Sequence, residues 1–170
     1  MDAYESLSRA DRALPLGAED LELLATSAYM LGRDDEYVSG LERAHQAHLD
    51  GCKGLRAVRC AFWMGINLMV RGEMGRATGW LGRARRLVER EGRDCVERGF
   101  LLLPRMLEHE AAGDHDAAIA AAAEAAAIGE RFGDAVMADA ADEVGSGVAL
   151  ITARSRSSSP SPCSGPPWSA

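Results

Sequence analysis

The sequence is short of several things, and each shortage removes a class of answer. Aromatic residues make up only 5% of the chain although 47% of it is hydrophobic, so the core has to be aliphatic and alanine-rich. Such a core suits closely packed helices better than a β-sandwich, which needs more β-branched and aromatic side chains. Basic residues are in deficit: the formal charge is −7, the wrong sign for a free-standing nucleic-acid binder that must neutralise phosphates. Long apolar runs are missing as well. The longest uncharged one, "CAFWMGINLMV" (60–70), is too short to span a bilayer, and the amino terminus "MDAYESLSRADR" has no apolar h-region. The four cysteines, Cys52, Cys60, Cys95 and Cys163, form no CxxC and no dense framework. These features predict a cytoplasmic chain with reduced thiols. No GxSxG, no GxxxxGK[ST], no HExxH and no isolated carboxylate pair is present, so nothing argues for an enzyme.

What is present is a repeat. "GRDDEYVSGLERA" (32–44), "GEMGRATGWLGRA" (72–84) and "GDHDAAIAAAAEA" (113–125) align, with leading glycines Gly32, Gly72 and Gly113 at a nearly constant interval. Five residues on stand Tyr37, Ala77 and Ala118; nine on, Leu41, Leu81 and Ala122; twelve on, Ala44, Ala84 and Ala125. Those offsets place one apolar stripe along a helix of 3.6 residues per turn. Each glycine also follows a helical pattern, and a glycine there can take the left-handed conformation that ends a helix. Acidic residues just beyond it (Asp34, Asp35, Glu73, Asp114, Asp116) suit the positive end of the next helix dipole. Each repeat therefore reads as helix A, tight turn, helix B. Pro104 should kink the third helix A, because proline donates no hydrogen bond and clashes one turn back.

This pattern resembles the tetratricopeptide repeat (TPR), with Met64 and Gly65 where that family has Leu-Gly, Leu24 and Ala25 matching more loosely, and Arg105 and Met106 departing from it. The period, near 40, exceeds the usual ~34 residues and enters the HEAT/armadillo range. The expected fold is all-α: a TPR-like α-solenoid of antiparallel helix pairs, about three repeats over residues 1–153. The wording of "GAEDLELLATSAYMLGRDDEY", "RCAFWMGINLMVRGEMGRATGWLGRARRLVEREGRDCVERGFLLLP" and "HEAAGDHDAAIAAAAEAAAIGERFGDA" is similar to the helical-repeat region of large bacterial LuxR-type transcriptional regulators. The resemblance covers roughly residues 2–137. It implies a signal-receiving or partner-binding region, without the helix-turn-helix domain through which that family binds DNA.

Residues 154–170, "RSRSSSPSPCSGPPWSA", break the pattern where the period puts a fourth turn, near residue 153. Moving the reading frame back by one base, with suitable codons, turns Ser155–Ser169 into an amphipathic segment with acidic residues at its start. An out-of-frame ending is one expectation, and an authentic disordered Ser/Pro tail the other. Loss of a fourth repeat leaves the third uncapped and open to self-association.

By the TPR resemblance, the A helices line a concave surface for a protein or peptide. Counting back from each turn glycine gives Glu22, Thr26 and Tyr29; Arg59, Phe62, Ile66 and Met69; and Phe100, Leu103 and Leu107. The expected partner-binding set is Tyr29, Arg59, Phe62, Ile66, Met69 and Phe100, since arginine and aromatics dominate binding hot spots; inter-repeat core is the alternative for its apolar members. The eight arginines and five acidic residues of 71–98 read as a solvated helix face. His45, His48 and Cys52, at i, i+3 and i+7, share a helix face and give a second reading as a metal or thiol sensor, although Gly51 should end the helix before Cys52. A third reading is a truncated product with no activity of its own. No cofactor is expected.

Overall fold

A computed structural model of the chain describes residues 3–134, all of whose regular structure is helical. There are eight helical segments among the described residues: α1 (Ala3–Ala13), α2 (Ala18–Met30), α3 (Asp34–Asp50), α4 (Gly54–Val70), α5 (Met74–Glu91), α6 (Glu97–Phe100), α7 (Leu102–Ala111) and α8 (His115–Phe132), α6 being a single turn. The Ser/Pro segment, the position of the fourth turn and the 153/154 boundary lie outside the described residues.

One turn geometry recurs along the chain. Gly32, Gly72 and Gly113 have φ of 69°, 78° and 76°, the left-handed values expected of them. At each, the next residue's amide reaches back to a carbonyl in the last turn of the preceding helix: Arg33 to Ala28, Glu73 to Leu68 and Asp114 to His109, at 2.8–2.9 Å. The same bond closes α3, from Lys53 to His48 at 2.8 Å, but there the left-handed residue is Cys52, at φ 56°. Gly92 and Gly133 complete the series. Left-handed residues thus stand at 32, 52, 72, 92, 113 and 133, evenly spaced at half the period read from the sequence. Gly51 does cap α3, but in a right-handed conformation (φ −83°).

The chain divides into two compact units between Leu101 and Leu102. In the first, α1 packs on α2, α2 on α3, α3 on α4, and α4 on both α5 and α6. The helix B stripe is inside as its spacing requires: Leu41, Ala44, Ala77, Leu81 and Ala84 are buried and Tyr37 is partly buried against the same core. Small residues set the approach of the helices. A Cβ on Gly40 of α3 would lie 2.9 Å from the Cβ of Ala25 on α2, and one on Gly65 of α4 would lie 2.7 Å from Leu81 of α5. α1 carries no buried residue and is tied down by Asp11, which accepts two 2.7 Å hydrogen bonds from the Arg43 guanidinium.

In the second unit α7 packs on α8, with Met106, Ala118, Ala122 and Ala125 buried. Asp114 caps α8, its side chain accepting from the Ala117 amide at 3.2 Å. The kink expected at Pro104 is instead a break just before it, at Leu101. Pro104 then falls in the first turn of α7, where an amide hydrogen has no carbonyl to meet within the helix.

Candidate functional site

The first unit carries an open groove of ≈ 630 Å³ between α2, α3 and α4. Its α4 wall is a stripe at helical spacing: Arg56, Arg59, Trp63, Ile66 and Val70. Glu22, Thr26 and Tyr29 come from α2, and Tyr37 and Leu41 from α3; Asn67 and Arg71 close the α4 end. The rings of Tyr29 and Tyr37 stand 5.1 Å apart, and Trp63 packs edge-on against Phe62 at 5.1 Å.

Carboxylates fix the arginines. Arg59 Nε donates to the buried Glu97 carboxylate at 2.9 Å, and its guanidinium lies 5.3 Å from the centre of the Phe100 ring. Arg71 reaches Asp35 at 2.9 Å and Glu73 at 3.1 Å, and Arg56 reaches Glu22 at 3.4 Å. Cations held this way keep their orientation, so less side-chain entropy is lost when a ligand docks.

The structure places the expected binding residues in two environments. Tyr29, Arg59 and Ile66 line the groove. Phe62 and Phe100 are core residues instead, 1% and 4% exposed, with ring centres 5.2 Å apart. Met69 is partly buried against the cluster of Leu21, Met64 and Leu68. The cause is that α4 is covered by three helices, α3, α5 and α6, which leaves one narrow stripe for the groove. The stripe chosen from sequence (59, 62, 66, 69) has the same period as the real one but is turned by about one position around the helix. Trp63, Arg56, Asn67 and Arg71 were missed for that reason, although the adjacent aromatics in "AFWMG" carried the ambiguity openly. Of the third repeat's candidates, Leu107 is exposed and Leu103 partly buried.

His45, His48 and Cys52 do not assemble as a ligand set. His45 Nδ1–H donates to the Ala57 carbonyl at 2.8 Å, its ring meets the edge of Trp80, and burial holds its pKa below the ordinary value. Cys52 is exposed in its turn. His48 is fully buried and its Nε2 hydrogen-bonds the Glu22 carboxylate. Beside them lies Cys60, its Sγ 3.8 Å from the same carboxylate oxygen. Burial, with the Glu22 charge adding to it, pushes the Cys60 thiol up to about 12, and burial likewise pushes the Tyr37 hydroxyl up to about 12.

Comparison of the chain with protein-family models, with curated proteins and with solved structures finds no match. Among the described residues, no helix is long and apolar enough to cross a membrane.

Proposed function

We propose that the chain is a TPR-like α-solenoid scaffold, with about three repeats of period near 40, and that its groove binds an extended protein or peptide segment. The observation that carries this reading is the groove itself: a wall of Arg56, Arg59, Trp63 and Ile66 facing Tyr29 across open space. Half-exposed aromatics and carboxylate-braced arginines are the residue types that supply most binding energy in protein interfaces. The even spacing of the left-handed turns supports the solenoid reading, because solenoids are built from helix-plus-turn units of equal length. The mixture of arginines and aromatic faces selects a segment with an apolar anchor beside an acidic side chain or a terminal carboxylate. We read the chain as a binding module rather than an enzyme.

The resemblance to the helical-repeat region of LuxR-type regulators supports a more specific role. In it, the groove receives a partner or signal in a transcriptional regulator whose DNA contacts are made elsewhere, this acidic chain binding no nucleic acid itself.

A peptide library displaying apolar and acidic residues in all registers tests the proposal. Binders should be found, and Tyr29→Ala or Trp63→Ala should weaken them about tenfold or more, measured at a temperature where both variants remain folded. A library without binders, or binders indifferent to both substitutions, contradicts the groove as the binding site.

A further inference from the structure

We propose that Glu22, His48 and Cys60 form a three-ligand site for a zinc-class divalent cation, with the fourth coordination position open to the groove. The three come from three successive helices, α2, α3 and α4, and their ligand atoms all lie within 4.8 Å of one another. Histidine nitrogen, cysteine sulfur and a carboxylate oxygen are the donors zinc takes, and three protein ligands with one vacancy is its open, reactive arrangement. In a tetrahedral zinc site neighbouring donor atoms sit about 3.3–3.8 Å apart. The Cys60–Glu22 separation of 3.8 Å already matches. His48 Nε2 and the Glu22 carboxylate already face each other through a hydrogen bond; the ion takes the place of the proton between them, and the ring proton moves to the buried Nδ1, so the imidazole stays neutral.

Charge balance favours the loaded state. Cys60 loses its thiol proton to water as the metal–sulfur bond forms, and His48 binds through neutral Nε2. Glu22 and the thiolate together then cancel the two charges of the cation. Arg56 holds the other Glu22 oxygen from outside, at 3.4 Å, as an outer-shell partner that orients the carboxylate. His48 and Cys60 are 0% and 2% exposed, whereas Glu22 and Cys60 both line the groove, so the ligands are fixed by packing while an ion has a way in. The inference does not depend on the peptide-binding reading, since the ion needs only the residues of this chain.

Titration of the full chain with Co²⁺ alone is the test. One equivalent should bring up the visible bands of tetrahedral cobalt and a near-ultraviolet sulfur-to-cobalt charge-transfer band, both bleached by Zn²⁺. The charge-transfer band should persist in a Cys52→Ser/Cys163→Ser variant and vanish in Cys60→Ser. Glu22→Gln, at a partly exposed position, should lower affinity by more than the ~10–100-fold that loss of an outer-shell partner costs. Should Cys60→Ser fail to fold, protection of Cys60 from alkylation by Zn²⁺ in the parent chain reads the same contact. No band at any Co²⁺ concentration, a band that survives Cys60→Ser or depends on Cys52, or alkylation of Cys60 indifferent to Zn²⁺ overturns the proposal.

Discussion

Two single residues carry consequences out of proportion to their size. Cys52 holds the left-handed turn position that glycine holds in the equivalent turns, at φ 56°, and its side chain is exposed. A side chain in that region costs about 1–2 kcal/mol, while glycine returns some ~0.4–1 kcal/mol of entropy to the unfolded chain. Cys52→Gly should therefore stabilise the protein by about 0.5–1 kcal/mol, seen as a higher urea midpoint with an unchanged slope; a lower midpoint contradicts the turn assignment. His45 is the other. Burial lowers its pKa from 6.5, outweighing the Ala57 hydrogen bond and Glu42, with Arg83 and His48 acting in the same direction as burial. The unfolded chain then binds more protons here than the native one. This contribution to stability is complete above the unfolded value and is lost as pH falls through the folded one. Urea midpoints should drop as the pH falls below the ordinary histidine value of 6.5, and His45→Gln, which keeps a donor for the Ala57 carbonyl, should flatten that slope. An unaltered slope in the variant rules His45 out as its source.

At the scale of helices, spacing is governed by which partner of each pair supplies the small residue. Between α2 and α3 it is Gly40 on helix B against Ala25; between α4 and α5 it is Gly65 on helix A against Leu81. The contact at Gly40 is the stiffer one, because Ala25 has no rotamer to move and its Cα is only 3.2 Å from the added Cβ. Gly40→Ala should cost about 1–3 kcal/mol by forcing the helices apart, despite the roughly 1 kcal/mol by which alanine favours a helix. A neutral or stabilising result, measured by the same denaturation, means the two helices can slide. The helix B stripe was legible in the sequence, because Leu41, Ala44, Ala77 and Ala84 recur at offsets that only a helix brings to one face. The half-period was not, since Cys52 breaks the run of glycines that would have announced it. The break at Leu101 was hidden for a different reason: Pro104 signals a disruption, and only the backbone decides whether it kinks a helix or begins one.

For the whole molecule, the same alternation of helix and turn that builds the core also leaves one stripe of α4 facing α2 across open space. That stripe was half legible. Tyr29, Arg59 and Ile66 follow from counting back from the turns, but choosing Trp63 over Phe62 required knowing that α6 and α5 cover one side of α4. The cluster of Glu22, His48 and Cys60 was not legible at all, because its members stand on three different helices and meet only through three-helix packing. The central claim is that this stripe is where a partner docks. Its most direct test is a hydrogen-exchange footprint of the chain with and without the tightest peptide from the library. Protection confined to the helical segments around residues 22–29 and 56–67 is the predicted result; protection elsewhere, with those segments exchanging as before, contradicts it.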